Sequence, residues 1–145
     1  ALESLGDVDT AIKYHKLAIS KKDNFSDAYD NLGLIYYNKG EFLQAAEEFR
    51  KAIKYNPDSH KAYNNLGLSY QQTRDYNSAI LSLKKAIDLD KENDRYYYHI
   101  ANIYDEMQDY KAAFENYNKA YTLSGGNDRY KMALDIARSR ISSQY

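Results

Sequence analysis

The sequence predicts an all-α chain of stacked helical hairpins, and three observations support that prediction. Segment 26–59 recurs at 60–93 and at 94–127, so the chain has an internal period of 34 residues. A period of this length indicates a repeat architecture in which each unit is one supersecondary element. Within each copy the large residues are spaced as on one face of an α-helix. Turn-forming residues separate two such helical stretches in each copy.

The three copies carry similar residue types at equivalent positions, which we call columns and number from Ser26. In the first half of the copies the columns are Tyr29, Tyr63 and Tyr97; Leu32, Leu66 and Ile100; Gly33, Gly67 and Ala101; and Tyr36, Tyr70 and Tyr104. In the second half they are Ala45, Ala79 and Ala113; Phe49, Leu83 and Tyr117; and Ala52, Ala86 and Ala120. The spacing i, i+3, i+4, i+7 in the first half is that of an amphipathic helix, and a second helical face follows.

Small residues predict where the two helices of a hairpin approach each other. Gly33 and Ala45 occupy such positions, and aromatic residues fill the space on either side. Gly40 lies in the turn between the helices, where glycine readily adopts a positive φ. Pro57 ends the second helix, and residues 58–59 offer caps for the next one.

The first 25 residues are predicted to be a truncated repeat. Residues 1–5 would form the last turn of one helix and 10–22 the next helix, with Gly6 in the turn and Asp7 or Asp9 as the cap. Three apolar residues of helix 10–22 would lack a partner: Ile12, Leu17 and Ile19. We therefore expect either that this is a piece of a longer protein or that another chain covers this face.

Three full hairpins and a final helix follow in the prediction. The helices are expected at 27–39 and 43–56, at 61–73 and 77–90, and at 95–107 and 111–124. After Gly125 and Gly126, with Asn127 or Asp128 as cap, the last helix is expected at 129–143. Its apolar stripe consists of Tyr130, Ala133, Leu134, Ala137 and Ile141. Because Lys131, Asp135 and Arg138 occupy the positions that would receive a partner helix, we predict that 128–145 is a capping helix and 1–145 a single domain.

The composition of the chain limits the classes of partner and the chemistry that we expect. The net charge of −1 and the pI near 6.3 give no basic excess, so no nucleic-acid partner is expected. No run of 18 apolar residues occurs, so no direct membrane insertion is expected. Cysteine is absent, which excludes disulfides and thiolate chemistry. The 17 tyrosines suit a solenoid, because each can bury its ring and keep its hydroxyl in water.

Catalytic and metal-binding patterns are not found. The three histidines, His15, His60 and His99, lie in different repeats and form no HExxH or His/Cys cluster. The sequence has no Gly-rich phosphate-binding loop and no GxSxG nucleophile motif. We therefore expect no enzymatic activity, no metal and no cofactor in this chain.

The columns resemble the signature of the tetratricopeptide repeat family. In the first full copy all eight signature positions are occupied: Tyr29, Leu32, Gly33, Tyr36, Ala45, Phe49, Ala52 and Pro57. The second copy has Lys91 for the proline and Arg74 for the mid-turn glycine; the third has Ala101, Gln108 and Gly125 at the glycine, mid-turn and proline positions. These departures bear mainly on turn geometry. The resemblance implies a right-handed α-solenoid that acts as a scaffold for protein–protein interaction.

In this family ligands usually lie along the concave side, in contact with the second, fifth, sixth, ninth and twelfth columns of each first helix. Transferred by column, these positions are Asp27, Asp30, Asn31, Leu34 and Tyr37; Lys61, Asn64, Asn65, Leu68 and Gln71; Arg95, Tyr98, His99, Asn102 and Asp105; and Arg129 and Met132. The residues predicted to bind a peptide are Asn31, Lys61, Asn64, Asn65, Leu68, Arg95, Tyr98, His99, Asn102 and Arg129.

Two of these columns suggest the chemistry of the partner. Asn31, Asn65 and His99 form an amide column, similar to the asparagine ladder of O-linked N-acetylglucosamine transferases, that could bond to the backbone of an extended peptide. Lys61, Arg95 and Arg129 form a basic column that could hold acidic side chains or a terminal carboxylate. We therefore expect a protein or peptide partner that carries acidic groups. The alternative is that both columns are simply solvated.

The sequence is also compatible with three other functions. The chaperone-binding members of this family hold a carboxylate with a clamp of basic and amide side chains. Only half of the clamp positions carry the expected residue types in this chain, and Asp30, at one of these positions, would repel a carboxylate. The chain could instead be a homo-oligomeric assembly module that uses the uncovered face of helix 10–22. It could also be a targeting or regulatory domain of a larger enzyme.

Overall fold

The computed structural model describes residues 5–21 and 26–144, which form helices connected by short turns. The helices are α1 (Leu5–Lys21), α2 (Ser26–Asn38), α3 (Phe42–Tyr55), α4 (His60–Gln72), α5 (Tyr76–Leu89), α6 (Asp94–Glu106), α7 (Tyr110–Leu123) and α8 (Asp128–Ser143). The hairpins are α2 with α3, α4 with α5 and α6 with α7. Consecutive units join where α3 packs on α4, α5 on α6 and α7 on α8. The protein is therefore an all-α helical-repeat solenoid, as the sequence predicts.

Side-chain caps mark the beginning of α4 to α8, whereas Glu41 before α3 makes no side-chain cap hydrogen bond. The side chain of Ser59 accepts a hydrogen bond from the backbone N–H of Ala62, and Asn127 accepts from Arg129 and Tyr130. Asp75, Asn93 and Asp109 cap α5, α6 and α7 in the same way. Helices α2 to α7 each begin and end one residue earlier than the hydrophobic pattern predicts. The reason is that the first residue after a cap is already helical, whether or not it is apolar.

The glycines of the first helices lie where the two helices of a hairpin approach each other closely. A Cβ atom on Gly33 would lie 2.6 Å from Cε1 of Phe49, a side chain with no solvent exposure. On Gly67 it would lie 2.9 Å from Cγ of Leu83 and 3.1 Å from the carbonyl oxygen of Ala79. The first helix of each of these hairpins thus touches the second through a glycine, which confirms the predicted packing.

The turns inside the three hairpins have the same backbone geometry although only one contains glycine. Gly40 has φ +80, and the equivalent Arg74 and Gln108 have φ 64 and 65. In each turn the next backbone N–H bonds to the carbonyl five residues back, as from Glu41 to Tyr36 at 2.9 Å. The bond satisfies a carbonyl at the helix end. Arg74 and Gln108 in place of glycine therefore leave the turn geometry unchanged. Their positive φ makes the folded state less stable through backbone strain.

The structure corrects the prediction for the N-terminal region. α1 is one continuous helix, so the predicted turn at Gly6 and the predicted caps Asp7 and Asp9 are wrong. A single glycine costs a helix only about 1 kcal/mol, and carboxylates near a helix N-terminus stabilise it, so helix formation prevails. Ile12, predicted to lack a partner, is only 8% exposed and belongs to the same apolar cluster as α2 and α3. Residues 1–4 and the Ile19 side chain lie outside the described parts.

Helix α8 covers the end of the last hairpin. Its buried residues Leu134 and Ala137 lie in one cluster with Ala113 and Tyr117 of α7, and its buried Tyr130 packs on Tyr98 of α6. The three charged residues Lys131, Asp135 and Arg138 are exposed. A capping role for residues 128–145 agrees with this arrangement and remains a prediction.

Candidate functional site

The first helices of the repeats, α2, α4 and α6, lie side by side and are continued by α8; we call their shared solvent-facing surface the inner wall. α2 contacts α4, and α4 contacts α6. A cavity of about 430 Å³ opens on this wall, lined by Asp30, Leu34, Lys61, Asn64, Asn65, Arg95, Tyr96 and His99. Five of the ten predicted binding residues line it. Tyr96 is the lining residue that the column rule leaves out, because its column belongs to the buried side of the helix.

Hydrogen bonds between neighbouring first helices cross the floor of this cavity. Asn65 donates from Nδ2 to Oδ1 of Asp30 at 3.3 Å, which links α4 to α2. His99 Nδ1 lies 2.8 Å from Oδ1 of Asn64, which links α6 to α4. In this arrangement the imidazole donates and the amide oxygen accepts. The bonds fix the orientation of the amides, and each amide retains hydrogen-bonding groups for a ligand.

Two cations at the cavity form no close ion pair in the described part of the chain. Lys61 and Arg95 are both exposed, and no carboxylate oxygen lies within 4.0 Å of either side-chain charge. Burial raises the pKa of the Asp30 carboxyl, although the hydrogen bond from Asn65 and the charge of Lys61 oppose the shift. Burial, with a smaller contribution from the Arg95 guanidinium, lowers the pKa of His99 to about 4. At neutral pH the His99 imidazole is therefore uncharged.

Tyrosines occupy the part of the inner wall between α6 and α8. The rings of Tyr98 and Tyr130 lie 4.9 Å apart, and Tyr98 also contacts Tyr117 at 5.8 Å. Tyr117 donates from its hydroxyl to Oδ1 of Asn102 at 2.6 Å. Burial raises the pKa of Tyr117, and burial together with Asp94 raises that of Tyr130 to about 12, so both hydroxyls stay protonated. Tyr98 and Asn102 are thus partly engaged in packing.

The remaining predicted residues, Asn31, Leu68 and Arg129, do not line this cavity. Asn31 and Arg129 are exposed at the two ends of the wall, and Leu68 is half-buried on α4 between them. The predicted amide column is therefore uneven: Asn31 faces water, whereas Asn65 and His99 are tied to neighbouring helices. The basic column has Lys61 and Arg95 at one cavity and Arg129 beyond it.

The described residues provide neither a metal site nor a membrane-spanning helix. Among the described residues, no three His, Cys, Asp or Glu side chains come close enough to share a metal ion. In the same part of the chain, none of the helices combines the length and the apolar character needed to span a bilayer.

Fold and site together define a helical-repeat solenoid of the kind used for protein–protein interaction. A model of the TPR repeat matches residues 33–73, and models of the tetratricopeptide repeat match 60–93 and 94–127. The chain belongs to the tetratricopeptide repeat family. Human tetratricopeptide repeat protein 6 is 37% identical over 57 residues; the match covers 39% of this chain and only 11% of that relative.

Solved structures agree with the fold. The chain is similar to the crystal structure of MamA, with a TM-score of 0.86 and 25% identity over 96% of this chain and 85% of that one. A second MamA structure gives a TM-score of 0.86 and 27% identity over 94% of this chain and 75% of that one. The Sgt2 TPR domain from Aspergillus fumigatus has a TM-score of 0.76 at 21% identity, covers 82% and 80% of the two chains, and supports the fold alone.

Proposed function

We propose that the chain is a non-catalytic interaction module that binds a protein or peptide segment along the inner wall. In this proposal an acidic group of the partner lies between Lys61 and Arg95. The observation that carries the proposal is the pair of exposed cations that open on one cavity and form no ion pair within 4.0 Å among the described residues.

The physical argument concerns charge. Two cations that face one cavity repel each other, and a carboxylate between them removes that repulsion and gains two charge-assisted contacts. The Arg95 guanidinium can hold a carboxylate through two parallel hydrogen bonds, and the Lys61 ammonium acts as a point charge. Asp30 lies at the same cavity on α2, so we expect the acidic group to bind toward α6.

The oriented amides supply the second part of the argument. Asn65 keeps its oxygen and one N–H, and Asn64 keeps its NH₂ group, after the bonds to Asp30 and His99 are counted. These groups could bond to the backbone of an extended segment that runs across α4. A site of fixed donors and acceptors loses less entropy on binding than a mobile one.

The test is a capture experiment from cell extract with three forms of the chain: wild type, Lys61→Ala/Arg95→Ala, and Lys84→Ala/Lys111→Ala. The third form is a charge-matched control, since Lys84 and Lys111 are exposed cations of α5 and α7. We expect proteins captured by the wild type and the control to be absent with the inner-wall variant, as identified by mass spectrometry. Helicity by circular dichroism should be equal in all three.

A common set of captured proteins for all three forms would refute the assignment to the inner wall. Capture by the wild type should also weaken as salt rises from 50 mM to 500 mM, because the contact depends on exposed charges. Capture that is insensitive to both salt and the substitutions would indicate another surface.

A further inference from the structure

The second helices α3, α5 and α7 carry an exposed surface that we call the outer wall: the residues in columns 18, 22, 25, 26 and 29 of each copy. At 3.6 residues per turn these columns lie on the side of the helix opposite the buried Ala45, Phe49 and Ala52 and their equivalents. All residues of the five columns are exposed in each of the three helices. The outer wall is therefore separate from the inner wall, and the proposed function makes no use of it.

Cations outnumber carboxylates on the outer wall, although the whole chain has a net charge of −1. The wall holds three carboxylates, Glu47, Asp88 and Glu115, and seven cations. The cations are Arg50, Lys51, Lys54, Lys84, Lys85, Lys111 and Lys119. Positive charge is thus concentrated on this wall, and the rest of the chain is acidic. A one-sided charge distribution of this kind attracts a polyanion to the basic side.

Most of these cations are not neutralised by a nearby carboxylate. Lys51 forms an ion pair with Glu48 at 3.2 Å, and Arg50 donates to the hydroxyl of Tyr70 at 2.8 Å. For the outer-wall cations other than Lys51, no carboxylate oxygen of the described residues lies within 4.0 Å of the side-chain charge. Their charges are therefore available to a partner.

Tyrosine rings lie beneath lysines at the border of the outer wall. The Lys51 ammonium lies 5.8 Å from the ring centre of Tyr29, and the Lys119 ammonium lies 5.9 Å from that of Tyr97. Both rings are half-buried. Lysines with apolar stems and half-buried tyrosines are residue types found at membrane–water interfaces, because each combines an apolar body with a polar end.

Two leucines lie among the charges of the outer wall. Leu43 is 73% and Leu81 is 70% exposed, and Leu81 shares one side of α5 with Lys84 and Lys85, which follow it by three and four residues. Exposed aliphatic side chains among lysines suit an anionic lipid surface, where the aliphatic groups enter the headgroup region. Six of the seven cations are lysines, whose point charge suits mobile headgroups, whereas arginine suits partners of fixed geometry.

We propose that the outer wall adsorbs to the surface of a membrane that contains anionic lipids. The lysines contact the headgroups, and Leu43 and Leu81 enter the headgroup region without any helix crossing the bilayer. The inner wall belongs to the first helices and stays open in this orientation. Adsorption and the binding of a protein partner are therefore independent of each other.

The experiment is sedimentation with vesicles at about 100 mM salt. Vesicles of about 30% phosphatidylserine in phosphatidylcholine are compared with vesicles of phosphatidylcholine alone. The lysine variant is Lys84→Ala/Lys85→Ala/Lys111→Ala/Lys119→Ala, and its charge-matched control is Lys13→Ala/Arg74→Ala/Lys91→Ala/Lys131→Ala, four exposed cations outside the outer wall. The leucine variant is Leu43→Ser/Leu81→Ser, and its control is Met132→Ser/Ile136→Ser, two residues that are 67% and 50% exposed on α8.

The wild type and both controls should bind the anionic vesicles and not the neutral ones, and their binding should weaken at high salt. The lysine variant should bind about a hundredfold more weakly, because each lysine near an anionic surface contributes about fivefold in affinity. The leucine variant should bind about tenfold more weakly, because it loses apolar area that the headgroup region would cover. Helicity by circular dichroism should be equal in all forms.

Several results would overturn the inference. Equal binding of the lysine variant and its control would mean that the outer wall is not the contact surface. Equal binding of the leucine variant and the wild type would mean that the leucines do not enter the headgroup region. No binding to anionic vesicles, or equal binding to neutral ones, would refute the membrane partner. Binding to soluble polyglutamate without binding to vesicles would show that the outer wall accepts an acidic polypeptide instead. None of these results bears on the inner wall.

Discussion

Two hairpin turns hold ordinary residues in a backbone conformation that favours glycine. Arg74 and Gln108 have φ 64 and 65, where the first hairpin has Gly40 at φ +80. A side chain in this left-handed region costs about 1–2 kcal/mol, whereas glycine costs the folded state nothing there but gains about 0.4–1 kcal/mol of chain entropy in the unfolded state. Arg74→Gly and Gln108→Gly should therefore each raise the free energy of unfolding by about 0.5–1 kcal/mol.

Urea unfolding followed by far-UV circular dichroism measures this effect, and the double variant should also raise Tm by about 3–6 °C. Arg74→Ala is the matched control, because it removes the same charge and keeps the Cβ atom, so it should give no gain. Gly40→Ala should lose about 1 kcal/mol; a Cβ there meets nothing within 4 Å, so the loss reports backbone strain alone. Equal stability of Arg74→Gly and Arg74→Ala, or a neutral Gly40→Ala, would refute the reasoning.

Three further predictions concern packing, pH and the end of the array. Gly33→Ala should cost about 1–3 kcal/mol in urea unfolding, because its Cβ would lie 2.6 Å from buried Phe49; an unchanged midpoint would contradict this. His99 has a pKa of about 4 when folded against 6.5 for the ordinary group, so the unfolded state binds more protons between these values and stability falls as pH decreases from 6.5 to 4. His99→Gln should lose less stability than the wild type between pH 7 and pH 5, and equal losses would contradict the assignment. A double-mutant cycle of Asp105→Asn and Arg140→Ala should give a coupling of about 0.5–1 kcal/mol, whereas no coupling would mean that this ion pair does not hold α8.

The repeated columns were sufficient to predict the helices and their pairing. A residue type that recurs every 34 positions reports a constraint on packing, as Gly33 and Gly67 do at the contact with the second helix. The predicted turn at Gly6 is wrong, because α1 continues through this glycine from Leu5 to Lys21. A glycine at the turn position of the period is therefore not sufficient to predict a turn.

The bridges along the inner wall could not be predicted from the columns. Asp30 pairs with Asn65, Asn64 with His99, and Gln71 with Glu106, each pair 35 residues apart. This separation is one residue more than the period, because two neighbouring first helices face each other with different sides and therefore with different columns. Alignment by column compares residues 34 apart, so it misses these partners. Complementary polar residues at period plus one are the sequence signal that could have found them.

The bridges between neighbouring first helices determine which groups of the inner wall remain available to a partner. Asn65 and His99 form hydrogen bonds to neighbouring helices, so some donors and acceptors of the amide column already link the helices and are not available to a partner. The cations Lys61 and Arg95 form no ion pair within 4.0 Å among the described residues. Charge, rather than the amides, should therefore select the partner, and the amides should position its backbone once the acidic group is in place.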